Sequence, residues 1–287
     1  MAYGSTTKTI KTRLSEKVNK WANSITDETV KKAVLKDAMV MGGSIASMLL
    51  GDDVNDYDVY FRTPETVDLV AKYYLGVYEE KSGNCGGAMA VHDSVSNIKG
   101  DVERRIYIEV PSEGVLGVNP DDENLSLPVN DPESYQPVFI SQNAITLSDQ
   151  IQLITRFYGE PDEVLKNFDF SHAKNVYVHD GKKVILNDLA LECLLSKTLH
   201  YEGSLYPIAS VWRMKKFIDR GFRISAGQQL KIMWQISELD LSDLDLLRDQ
   251  LVGVDSVYLA DLIRHLSEKN SAVDSTYVGN LIDRLFV

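Results

Sequence analysis

The stretch Met41-Gly42-Gly43-Ser44, separated by eleven residues from Asp56-Tyr57-Asp58-Val59, restricts this chain more than any other part of it. Ala38–Met41 is a short apolar run suited to a buried strand. Ser44–Leu50 reads as a helix of one or two turns, with Gly51 in the position where helices commonly end. Tyr57, Val59 and Phe61 then alternate with Asp56, Asp58 and Tyr60, which is strand periodicity. The unit is therefore strand, glycine turn, helix, strand. Carboxylates at positions i and i+2 of a strand leave the same face, and two such groups can share divalent cations together with phosphate oxygens and water. A glycine pair lets backbone approach a phosphate, and a helix opening at Ser44 aims its unbonded N–H groups at that anion. Each half alone is more often a flexible turn or a solvated strand edge. Joined in this order, they predict a nucleotide site.

The rest of the chain supports an α+β architecture. Residues 7–36 read as amphipathic helices broken near Ser24–Asp27, with Thr26 or Asp27 as a cap. Thr63-Pro64-Glu65 starts another helix: the threonine caps, the proline suits the first turn, and the glutamate complements the dipole. A strand is predicted at 104–110 within an otherwise loop-like stretch. PVFISQNAITL and QIQLITRF read as two antiparallel strands turning at Ser148-Asp149. A short helix at 161–166 precedes a hairpin with His179-Asp180-Gly181 at its turn. Beyond 187 the pattern is helical almost throughout. We expect a mixed or antiparallel sheet with leading helices in residues 1–183 and an α-helical domain in 184–287.

The formal net charge of −12 argues against indiscriminate nucleic-acid binding, because phosphate neutralisation needs local Lys and Arg. Positive charge is concentrated instead. Residues 211–223 carry Arg213, Lys215, Lys216, Arg220 and Arg223 against Asp219 alone, whereas residues 236–287 carry ten acids and four bases. Arg213, Lys216 and Arg220 share a helix face by spacing, either to meet phosphates or as a solvated face paired with Asp219 or Glu202. No run of about 18 apolar residues suggests a membrane span, and the polar N-terminus lacks a secretory pattern. Cys85 and Cys193 suggest neither a disulfide framework nor a zinc site. A cytoplasmic protein without membrane or disulfide partners is expected. His172, three residues from Asp169, is read as packed more readily than functional. Trp212, Trp234 and Cys193 are expected in the core, and Tyr201 and Tyr206 in helix–loop packing.

Gly42-Gly43-Ser44-Ile45, Leu49-Leu50-Gly51 and Asp56-Tyr57-Asp58 together resemble the signature of the polymerase-β-like nucleotidyltransferases, and more narrowly the bacterial tRNA CCA-adding enzymes and poly(A) polymerases. Ile151–Arg156 stands where that family has a strand of the form EVTTFR. Phe168-Asp169-Phe170-Ser171 is similar to its RDFT segment. Trp212–Ile224 is similar to its neck helix, with spaced bases before a GF-x-I ending. The resemblance spans about residues 40–225. It implies a nucleotidyltransferase palm in which Asp56 and Asp58 are catalytic and hold Mg²⁺ or Mn²⁺, while Gly42, Gly43 and Ser44 hold the triphosphate of an NTP. It further implies that Asp169 lies near the ribose, and that Arg213, Lys216 and Arg220 face the nucleotide.

The chain departs from that pattern in three places. Ala46-Ser47 replaces an Arg-Asp pair, Asn167 and Phe168 replace arginines, and Gln152 occupies a strand position that often carries a third acid. Glu109 is a candidate replacement for that acid. The expected reaction is transfer of a nucleoside monophosphate from an NTP to an acceptor hydroxyl, by resemblance an RNA 3′ end of tRNA type. A protein or small-molecule acceptor is the enzymatic alternative, and a catalytically weak nucleotide-binding module the other.

Overall fold

The structure is a computed structural model, and it describes residues 4–82, 89–98, 101–110, 115–116 and 135–241, together with Asp243, Leu246 and Gln250. Two helices come first, α1 (Thr7–Ser24) and α2 (Glu28–Asp37). Each is capped by a side chain suited to it: Thr6 Oγ1 accepts from Thr9 N, and Asp27 accepts from Thr29 N and Val30 N. The strand–helix–strand unit follows as β1 (Ala38–Met41), α3 (Gly43–Leu50) and β2 (Tyr57–Phe61), and Gly51 ends α3 in the left-handed region at φ 77°. Next come α4 (Pro64–Ser82) and an antiparallel ribbon of β3 (Ala90–Ile98) and β4 (Asp101–Glu109), which forms a two-stranded sheet of its own. At the start of α4, Thr63 and Thr66 donate their hydroxyls to the buried Asp37 at 2.9 and 2.5 Å, tying the end of α2 to α4.

Strands β5 (Val115–Leu116), β6 (Pro137–Ile140), β7 (Ala144–Leu147), β8 (Ile151–Tyr158), β9 (Val176–Val178) and β10 (Lys183–Ile185) complete an eight-stranded sheet ordered β10-β9-β1-β2-β8-β7-β6-β5. Every neighbouring pair is antiparallel except β2 with β8, so the sheet is mixed, as expected. The segment read as one strand at 137–147 is a hairpin. Ser141–Asn143 turns the chain, Ser141 N donates to Ala144 O at 2.9 Å, and Ser141 Oγ accepts from Ala144 N. The helix α5 (Pro161–Leu165) connects β8 to a short 3-10 turn at Ser171–Ala173. Pairing with β9 keeps the chain in the sheet to Ile185, so the division expected after 183 falls within a strand. Beyond it lie α6 (Asp188–Ser196), β11 (Thr198–Leu199), α7 (Pro207–Asp219), β12 (Arg223–Ile224) and α8 (Ala226–Ser237), where β11 and β12 form a small parallel pair.

Alternation sorts the sheet's side chains into two layers. Ala38 and Val40, Val59 and Phe61, and Ile151 and Leu153 pack with Leu14, Trp21, Val34, Val70 and Tyr74 of α1, α2 and α4. Within that layer Trp21 Nε1 donates to Tyr74 Oη at 2.6 Å, satisfying a fully buried indole. On the opposite face Met39, Met41, Tyr60, Ile154 and Val176 form a second cluster with Val164 of α5. A third joins Ala46 of α3 and Phe170 to Phe222, Leu194 of α6, Leu199 of β11 and Ile232 of α8. Trp234, expected in the core, is 66% exposed on the outer face of α8. Of that helix's apolar residues, Ile232 and Ile236 join the third cluster while Leu230 and Met233 are exposed, so they are not all core.

Candidate active site

The turn between β1 and α3 is built on Gly42, whose φ of 88° strains any L side chain. A Cβ there would lie 2.8 Å from Asp58 Oδ2 and 3.8 Å from the Phe168 ring, so the residue's lack of a side chain sets how closely turn and carboxylate approach. Gly43 has nothing within 4 Å of its Cβ position and opens the helix. Ser44 is 2% exposed, and its Oγ is buried with no hydrogen-bond partner among the described residues. Such a hydroxyl is costly to leave unpaired, so a water or a ligand must satisfy it.

Gly42, Gly43, Ser44, Asp56 and Asp58 all line one cleft that is open to solvent. Asp58 faces the cleft because it lies on the opposite side of β2 from the helix-packed Val59 and Phe61. Tyr60 shares that side, and its ring stands 5.7 Å from Phe168. Tyr206 lines the cleft as well, with its hydroxyl accepting from the buried Arg156 Nε at 3.0 Å.

The far wall comes from the C-terminal helices. Arg213 and Lys216 on α7, and Arg220 at its C-terminal cap, line the same cleft. Arg213 Nε donates to Asp169 Oδ2 at 2.7 Å, and Ser210 Oγ donates to the same oxygen at 2.8 Å. Among the described residues Lys216 and Arg220 make no side-chain hydrogen bond or ion pair. The cleft thus has Asp56 and Asp58 on the sheet side and cations on α7.

All nine residues singled out from the sequence meet here, although they come from four separate segments. Asn55 and Phe157 also line the cleft without having been named, and Ser47 and Phe168, noted only as departures from the family pattern, line it as well. Asn55 had a signal in its place beside Asp56, and Ser210 in lying three residues before Arg213 on one helix face. The aromatic lining had none. His172 is 2% exposed and enclosed by Phe217 and Phe222, 4.3 and 4.9 Å away between ring centroids, so it is packed. Burial pushes its imidazole down to about 4, against the attraction of Asp169 and with repulsion from Arg220 and Lys197.

Glu109 does not reach the cleft. It is exposed on the separate ribbon, where it accepts from His92 Nε2 at 2.6 Å. Gln152 stands in register with Asp58 on the parallel neighbour β8, so an amide occupies the place beside the carboxylate. Among the described residues no group of three His, Cys, Asp or Glu is arranged to hold a metal ion. Two carboxylates and the orphaned Ser44 hydroxyl nevertheless fit a hard cation that brings its own phosphate and water ligands. Cys193 is a buried free thiol, while Cys85 lies outside the described residues. No helix among the described residues is long and apolar enough to cross a membrane.

Comparison with known proteins gives one family match, "Gad2: Gabija anti-defense 2 family protein", over residues 12–197. The chain is 18% identical over 237 residues to "Gabija anti-defense 2" of Bacillus phage SPbetaL7, covering 82% of this chain and 46% of that protein. It spans about half the length of this curated relative. Among solved structures, a Thermotoga maritima CCA-adding enzyme complexed with tRNA is 14% identical at a TM-score of 0.39, covering 91% of this chain and 58% of that one. A Bacillus stearothermophilus CCA-adding enzyme in complex with CTP is 13% identical at 0.38, covering 84% and 50%.

Proposed function

The chain belongs to the Gabija anti-defense 2 family, and from that premise we propose that it is a metal-dependent nucleotidyltransferase. In the proposed reaction an acceptor hydroxyl oxygen bonds to the α-phosphorus of an NTP, the bond to the β-phosphate breaks, and pyrophosphate leaves with the electron pair while the hydroxyl proton is released. A bound divalent cation would stabilise charge on the phosphate oxygens and ease deprotonation of the acceptor. Asp56 and Asp58 hold that cation, Gly42 and Gly43 admit the triphosphate, and Ser44 donates its hydroxyl to a phosphate oxygen. Lys216 and Arg220 offset the triphosphate's charge from the opposite wall.

One observation carries this reading: a single cleft has the glycine turn and both aspartates on one side and the cations of α7 on the other. A two-carboxylate centre is part of the proposal, since Gln152 beside Asp58 supplies an amide and Glu109 is directed elsewhere.

The resemblance read from the sequence favours an RNA 3′ end of tRNA type as the acceptor. Family membership favours a second reading, in which the hydroxyl belongs to a component of the Gabija defence system and transfer to it is the counter-defence. Incubation with Mg²⁺ or Mn²⁺ and each α-labelled NTP, in the presence of total RNA or of that system's proteins, separates the two. Label on RNA 3′ ends supports the first, and label on protein the second. Nucleotide binding without transfer to either would leave only a nucleotide-binding module.

A further inference from the structure

Arg213 shares the cleft wall with Lys216 and Arg220, but its guanidinium Nε is committed to Asp169 Oδ2 at 2.7 Å. Ser210, fully buried one turn earlier on α7, donates to the same oxygen at 2.8 Å. Asp169 is held through its backbone as well, its carbonyl accepting from Glu202 N at 2.8 Å. Asp169 is buried, yet it lines the cleft. A carboxylate accepts through both oxygens, and Ser210 and Arg213 both donate to Oδ2. The paired charges of Asp169 and Arg213 largely cancel at longer range, and an acceptor-only carboxylate repels phosphate. The part of a ligand that lies against Asp169 must therefore present donors, which a nucleoside has and a phosphate lacks.

We propose that Ser210 and Arg213 are positioning residues, holding Asp169 to read the nucleoside part of a bound nucleotide and leaving the phosphates to Lys216 and Arg220. The inference rests on the nucleotidyltransferase reading. It divides a basic helix face that spacing alone treats as one unit.

Calorimetric titration of the full chain in Mg²⁺ with ATP, CTP, GTP and UTP, and with the four monophosphates, tests it. For whichever base binds, Ser210→Ala and Arg213→Gln should each weaken triphosphate and monophosphate by the same factor, roughly tenfold. Ser210→Thr, which keeps the hydroxyl, should restore binding. Lys216→Gln and Arg220→Gln should weaken the triphosphate roughly tenfold and the monophosphate far less. Arg213→Lys guards against a misfolded variant: it keeps the charge and loses the Nε, so it should behave like Arg213→Gln. If the Arg213 variants instead track phosphate number as those of Lys216 do, or leave binding unchanged, the positioning role is overturned alone. If the wild-type chain binds none of the eight nucleotides, the underlying reading of the cleft fails with it.

Discussion

Gly42 and Asp58 are in such close apposition that a methyl group on the glycine would stand 2.8 Å from the carboxylate Oδ2. The contact joins the turn after β1 to the neighbouring strand β2, whose Asp58 pairs in register with Met41. The turn and the carboxylate are therefore one rigid unit, and a change at one is felt at the other.

Gly42→Ala should accordingly remove nucleotidyl transfer while leaving the chain folded. Strain at a positive φ costs roughly 1–3 kcal/mol, and the displaced carboxylate no longer meets the cation. Gly43→Ala meets no atom within 4 Å and should shift the melting temperature less. Thermal melting and transfer assays on the two variants check this. Equal behaviour would show that the turn is not built around Asp58.

Gln152→Glu should place a carboxylate in register with Asp58. Like charges at this spacing repel without metal and attract a divalent cation strongly. The variant should melt lower than the wild type in EDTA and gain more stability from added Mn²⁺. A melting curve in which Mn²⁺ helps both proteins equally would remove Gln152 from the metal's surroundings.

Tyr74→Phe should destabilise the palm by about 1–3 kcal/mol, because the buried Trp21 Nε1 loses its acceptor at 2.6 Å. Urea denaturation checks the change. A shift within error would mean that the indole N–H finds another acceptor.

His172 predicts a pH dependence. Its folded pKa is lowered to about 4 from an ordinary 6.5, so between those values the unfolded chain binds the proton and the folded chain does not. The contribution is fully present above pH 6.5 and is lost as pH falls through about 4. It is on the order of 3 kcal/mol at full loss. Replacing His172 with Phe should flatten the stability profile across that window relative to the wild type, measured by denaturation at successive pH values. Parallel profiles would contradict a neutral buried imidazole.

The elements around the site were readable because their signals are local. Asp27, Thr63 and Gly51 mark helix ends within a few residues, and Asp58 falls on the cleft face through simple alternation in β2. The turn at Ser141–Asn143 escaped notice because its polar residues also suit alternation in one long strand. The outward position of Trp234 could not be inferred, because α8 is apolar on both faces and packing alone decides which is buried. The partition of α7 depended on Asp169, a partner 44 residues earlier in the chain, which helix spacing cannot reveal.

The central claim is that Asp56 and Asp58 support nucleotidyl transfer. Its most direct measurement is the rate at which label from an α-labelled NTP enters acceptor, comparing the wild type with Asp56→Asn/Asp58→Asn in Mg²⁺ or Mn²⁺. The account predicts transfer by the wild type and a loss of roughly a hundredfold or more in the double variant, with the fold retained. Transfer by the double variant at the wild-type rate would contradict it.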